Sequence, residues 1–226
     1  MVADPLPDRF GALSLDAFIE RLASSDPVPG GGSASAVVGS VAAALVSMVT
    51  DLSTGRPRYA DYESMYPWTG SEGSRLSRRL LALADDDARA YGGFAAARKL
   101  PRDTDAEREA RTVALQVAAR AASEAPLECV AACRDVVAAA EALAGRSNVN
   151  AASDVLVAAL LGEAAAAGAA ANVRINLPSV GDDTFATEMT ERVDELLHDV
   201  ARLAARAREV VVSGEIREPL LEVAAS

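Results

Sequence analysis

Residues 34–50 contain no charged side chain, and residues 155–171 contain only Glu163. Runs like these have to be covered by other apolar surface, which limits the folds open to the chain. Both are built mainly from Ala, Val, Leu, Ser and Gly, and aromatic residues make up 4% of the chain. Small and unbranched side chains favour closely packed helices over a β-sandwich, which draws on Val, Ile, Tyr and Phe. The first run reaches the short limit of a bilayer span, but its Ser and Gly content suits a buried core helix better. The second reads as a helix apolar all round, central to its assembly. With 226 residues the chain can bury one substantial core, or at most two small ones.

The first run opens from Pro27-Val28-Pro29-Gly30-Gly31-Gly32-Ser33. The prolines stop what precedes them, and the glycines let the backbone approach another surface closely. Ser33 is the expected N-cap of a helix over 34–53, closed by Gly55. Free N–H groups at such a start suit an anionic or carbonyl-bearing ligand. A tight loop leading into a small-residue packing helix would use the same residues. Val37, Val41, Leu45 and Met48 form one stripe of this helix. Gly39, Ser40, Ala43 and Ser47 form a small face that a neighbouring helix, or one from a second subunit, could approach.

Upstream, residues 1–13 read as a flexible arm, and Ser14 caps a short helix over 15–24. Downstream, Arg56-Pro57-Arg58-Tyr59 is the most basic spot near the glycine loop, and as readily a solvated turn. Pro67–Gly73 reads as a break, with Trp68 as its anchor on the core. A helix over 74–99 follows, striped by Leu76, Leu80, Leu83, Asp87, Tyr91 and Phe94. Asp87 thus occupies a slot meant for an apolar residue. It marks a site or interface, unless the phase of the stripe is off.

Thr104 and Glu107 form a capping-box pattern, and Pro126 should kink or restart the helix that follows. Cys129 and Cys133 read as small buried thiols. Asn150 can cap a helix from Ala151 with Asp154 in its first turn. There the carboxylate either complements the helix dipole or makes a polar end on a buried rod. Asn172–Pro178 ends that helix, and Arg174 is a cation where it emerges. Thr187 or Glu188 opens a last helix with the seam Val193, Leu196, Val200, Leu203, Ala207 and Val210. Residues 213–226 read as a tail.

The formal charge of −11 disfavours nucleic acid and anionic membranes as partners. The single histidine, His198, makes a histidine metal site or a Ser-His-Asp triad improbable, so no metal is expected. The N-terminus lacks the pattern of a secretory leader, and a cytoplasmic location is expected. The expected fold is all-α: one domain over 14–212, a bundle of about six or seven helices.

Three motifs in order carry a resemblance. They are Pro29-Gly-Gly-Gly-Ser33, running on to Leu52-Ser-Thr-Gly-Arg56 and Tyr59; Asp85-Asp-Asp87-Ala-Arg-Ala-Tyr91 before Lys99-Leu-Pro101; and Asn148-Val-Asn150-Ala-Ala-Ser153-Asp154, running to Asn172-Val-Arg-Ile-Asn-Leu177. Over about 15–212 the chain resembles the formiminotransferase-cyclodeaminase family, in its cyclodeaminase domain and free-standing methenyltetrahydrofolate cyclohydrolases. The resemblance implies a helical bundle dimerising through small-residue apolar helices. It implies a reduced folate as substrate and no separate cofactor. The reaction would be methenyltetrahydrofolate hydrolysis, with formiminotetrahydrofolate cyclodeamination or a non-catalytic scaffold as alternatives. Carried over motif by motif, Asp87, Asp154 and Lys99 are the candidates for acid–base work, the two aspartates also for holding pterin N–H groups. Gly30, Gly31, Gly32 and Ser33 would line the pocket, and Arg56, Arg58 and Arg174 would meet the glutamate carboxylates beside Tyr59. Asn148, Asn150 and Asn176 would orient polar edges. The Pro67–Gly70 break departs from the continuous helix usual there.

Overall fold

The computed structural model describes residues 9–220, where the regular elements are all helical. They are α1 (Leu15–Leu22), α2 (Gly31–Ser53), α3 (Tyr66–Arg98), α4 (Asp105–Leu143), α5 (Ala152–Asn176) and α6 (Asp183–Ser213), joined by short 3-10 turns. The all-α expectation holds, with six α-helices. Most of the expected arm (1–8) and part of the tail (221–226) lie outside the described residues. Where described, both are mostly exposed but tied to the bundle at particular residues. Phe10 is buried edge-on against Phe18, and its N–H donates to Asp85 Oδ1 at 2.7 Å. Arg217 pairs with Glu141 at 2.8 Å and accepts from the Tyr62 hydroxyl through its carbonyl.

Helices α2 and α5 pack antiparallel side by side, with α4 against both, α3 beside α2 and α4, and α6 beside α4 and α5. Close approach rests on small residues. A β-carbon on Gly39 would lie 2.8 Å from Cys133 Sγ, and one on Gly162 would lie 2.6 Å from a Val137 methyl. Polar rungs tie α2 to α3: Ser40 to Ser77, Ser47 to Ser74 and Thr50 to Thr69. Both cysteines are free and buried.

Several boundaries differ from expectation. Helix α2 starts at Gly31, so Ser33 lies inside the first turn and its hydroxyl is released from capping. The expected break at 67–73 is absent. Helix α3 begins at Tyr66 with Pro67 in its first turn, where a missing N–H costs nothing. A β-carbon on Gly73 would lie 2.9 Å from the Ala43 carbonyl, so this glycine serves contact with α2 and is not a stop signal. Trp68 is exposed on α3 and anchors no loop. Helix α4 runs through Pro126 without restarting. Asn148, not Asn150, caps the turn into α5. Helix α6 starts at Asp183, because the Asp182 carboxylate accepts the Phe185 N–H.

Helix α2 departs from the stripe expected of it. Its small face, with Ala36, Gly39, Ala43 and Ser40, is buried inside the chain, whereas Val41 is 50% and Met48 38% exposed. Helix α5 does the same. Ser153, Val157, Leu160, Ala164, Ala167, Ala171 and Ile175 step by four and three along its outer side, all exposed and uncharged. Among the described residues these are the two helices long and apolar enough to cross a bilayer, and about half of each is buried in the bundle.

Candidate functional site

The stripe of Leu76, Leu80 and Leu83 is buried, and its next member is Asp87, one turn further along α3. This brings the carboxylate to the first turn of α2. There the Ser33 hydroxyl lies 2.8 Å from Asp87 Oδ2 and 3.2 Å from the Ala84 carbonyl, a forked donor to both. Gly32 makes the approach possible, since a β-carbon would lie 2.6 Å from Asp87 Cγ. Burial pushes the Asp87 carboxyl above the ordinary aspartate value, and bonds from the Ser33 hydroxyl and N–H hold it partly back. Burial is the larger effect, so the proton is held more tightly than on a solvated aspartate.

Asp87 forms one wall of a cleft of about 470 Å³, within the rough range of 300–1,000 Å³ for small-molecule sites. Pro27, Val28 and the Gly30–Gly32 turn form a second wall. Tyr91, Phe94 and Arg98 continue the α3 face, and Asn172, Ile175 and Asn176 close it from α5. The Asn176 amide nitrogen donates to the Ala122 carbonyl at 2.8 Å and to the Asn172 carbonyl at 3.0 Å, which fixes its orientation. The cleft therefore offers a proton-retaining carboxyl, two aromatic rings, two amides and one guanidinium.

The remaining expected residues lie elsewhere. Arg58, Tyr59 and Asn148 line a smaller cavity of about 190 Å³, bordered by the segment after α6. Asn148 there ties helices together: its N–H donates to Ser53 Oγ, its amide nitrogen to the Leu52 carbonyl, and its Oδ1 accepts from Asn150 N–H. Tyr59 completes the knot by accepting the Val149 N–H at 3.0 Å. Arg56 and Asn150 are exposed. Arg174 is paired with Asp194 on α6. Lys99 is exposed, capping the end of α3 twelve residues beyond Asp87, or about 18 Å along the axis. Asp154 and Asn172 are eighteen residues apart on α5, about 27 Å along the helix. One copy of the chain thus keeps Asp154 out of the Asp87 cleft. The residues that sequence reasoning passed over are Arg98 and Asn172. Their signals were the step of four from Phe94 to Arg98 and the pairing of Asn172 with Asn176 one turn later.

The family model for formiminotransferase-cyclodeaminase matches residues 14–195. A methenyltetrahydrofolate cyclohydrolase of Methylorubrum extorquens is 37% identical over 203 residues, covering 90% of this chain and 98% of that protein. The rat formimidoyltransferase-cyclodeaminase is 36% identical over 192 residues, but the chain spans only 36% of that longer protein. The crystal structure of a formiminotetrahydrofolate cyclodeaminase from Thermotoga maritima superimposes with a TM-score of 0.81 at 30% identity, over 90% of this chain and 98% of that one.

Proposed function

This chain belongs to the formiminotransferase-cyclodeaminase family, and from that premise we propose that it hydrolyses 5,10-methenyltetrahydrofolate to 10-formyltetrahydrofolate. It is an enzyme of folate one-carbon chemistry. The observation that carries the choice of reaction is identity at equal coverage: the cyclohydrolase relative is 37% identical over 98% of its length, against 30% for the Thermotoga cyclodeaminase over 98% of that chain. The continuity of α3 removes the reason to prefer a non-catalytic scaffold, because no break reshapes the region before Asp87.

In this reaction water oxygen bonds to the methenyl carbon and loses a proton. The hydroxyl then gives up its remaining proton as the carbon–N5 bond breaks and N5 takes a proton, leaving the formyl group on N10 and one proton released overall. The steps need placed proton donors and acceptors, worth roughly 10²–10⁴-fold for a positioned group. Asp87, beside the Gly30–Ser33 turn, receives the pterin N–H groups. Asn172 and Asn176 hold polar edges of the ring system, and no separate cofactor takes part.

The active form is a homodimer. Seven uncharged exposed residues at heptad spacing on α5, beside Val41, Met48 and Leu52 on α2, make an apolar face that a second copy would cover. A twofold axis beside Ala164 sets residue 153 of one copy against residue 175 of the other. The partner's Asp154 then reaches the mouth of the Asp87 cleft, where it serves as the acid–base group. Arg56 and Arg58 lie at that same end of the partner. The free buried thiols and reduced substrate suit the cytoplasm.

Loss of methenyltetrahydrofolate absorbance tests the reaction, with ammonia release from 5-formiminotetrahydrofolate assayed in parallel. Accelerated hydrolysis without ammonia release is the expected result. Ammonia release as the faster reaction would reassign the chain as a cyclodeaminase, and neither activity would reject the reading.

A further inference from the structure

Asp87, Tyr91, Phe94 and Arg98 follow one another at steps of four, three and four, so one face of α3 presents them all to the same cleft. The order along the helix is carboxyl, ring, ring, guanidinium. Eleven residues separate the two ends, about 16 Å along the axis. This matches the order and the reach of an extended reduced folate: a pterin with amide and amino donors, an aminobenzoyl ring, then glutamate carboxylates.

Resting on the folate reading above, we propose that this face is a ruler for one folate molecule and that Arg98 is its glutamate anchor. Three observations support Arg98 over the arginines expected from sequence. Arg174 is engaged by Asp194, and Arg56 and Arg58 of the same copy lie outside this cleft. Arg98 lines the cleft and makes no ion pair among the described residues. Its backbone carbonyl accepts from the Arg111 guanidinium of α4, at 3.3 Å from Nη2, which steadies the end of α3 and brings a second cation near. A chain of charge −11 repels a dianionic tail in general, so a placed guanidinium decides whether the tail is held. Tyr91 and Phe94, between the ends, offer ring faces and edges to the two ring systems of the ligand.

The test compares the parent with Arg98→Gln and Arg98→Lys on 5,10-methenyltetrahydrofolate and on 5,10-methenyltetrahydropteroate, which lacks the glutamate. Removing the glutamate should raise the parent's KM about tenfold or more. Arg98→Gln should show the same rise on the full folate, mostly in KM, with no further loss on the pteroate. Arg98→Lys should recover part of it. Calorimetric binding of 5-formyltetrahydrofolate to the parent and Arg98→Gln separates the two readings. Absent turnover with tenfold weaker binding to the variant would reject the hydrolase assignment alone. Equal affinity of parent and variant, or a parent indifferent to the glutamate, would overturn the anchor. Arg98 is exposed, so unchanged melting of the variants is expected.

Discussion

Gly32 and Asp87 fit together only because Gly32 has no side chain: its β-carbon would stand 2.6 Å from the Asp87 Cγ. The start of α2 and the polar member of the α3 stripe are therefore one feature.

Gly32→Ala should cost activity far more than stability. Alanine gains about 1 kcal/mol of helix propensity, while overpacking costs roughly 1–3 kcal/mol, so the melting temperature should fall by only a few degrees. The carboxylate must move by close to 1 Å, which can cost on the order of 10²-fold in turnover. Turnover within twofold of the parent would show that Asp87 is not placed by this contact.

Asp87→Asn should abolish most turnover and yet raise the melting temperature at neutral pH. Burial lifts the folded carboxyl above the ordinary value of 3.8. The native state thus holds this proton to higher pH than the unfolded chain, and stability from this group is lost as pH rises through that window. Asparagine escapes the loss while still accepting from Ser33. The gain over the parent should be about 2–4 °C per kcal/mol recovered, and should shrink as pH falls toward 3.8. A lower melting temperature at pH 7 would contradict this.

Mixing subunits tests the shared site. Asp87→Asn and Asp154→Asn should each be nearly inactive alone. After unfolding and refolding together in equal amounts, they should regain about one quarter of parental turnover, since half the dimers are mixed and each keeps one intact site. No recovery would place both aspartates in separate or single-chain roles.

Leu160→Glu should give a monomer by light scattering at micromolar concentration, with helicity retained and turnover lost. Leu160 is 38% exposed in the single chain, so a charge there is tolerated unless a second copy covers it. A dimeric variant with full activity would move the interface elsewhere.

Gly73→Ala should destabilise the chain by about 1–3 kcal/mol. The new methyl meets Ser47 Oγ at 2.6 Å and the Ala43 carbonyl at 2.9 Å. An unchanged melting temperature would mean that α3 shifts freely against α2.

The sequence alone determined the helical class, the Thr104–Glu107 cap and the placement of Asp87 in line with Leu76, Leu80 and Leu83, because these depend on spacing within one segment. Tertiary structure decided what segment-local rules leave open. It turned the small face of α2 inward and left Val41 and Met48 of its stripe exposed, and it read Gly70 and Gly73 as contact residues inside a helix. It joined Asp87 to Asn172 and Asn176 from far along the chain, and kept Asp154 at the other end of α5. The reason is physical: periodicity fixes which residues share a face, but which faces meet is settled only by packing between segments remote in sequence.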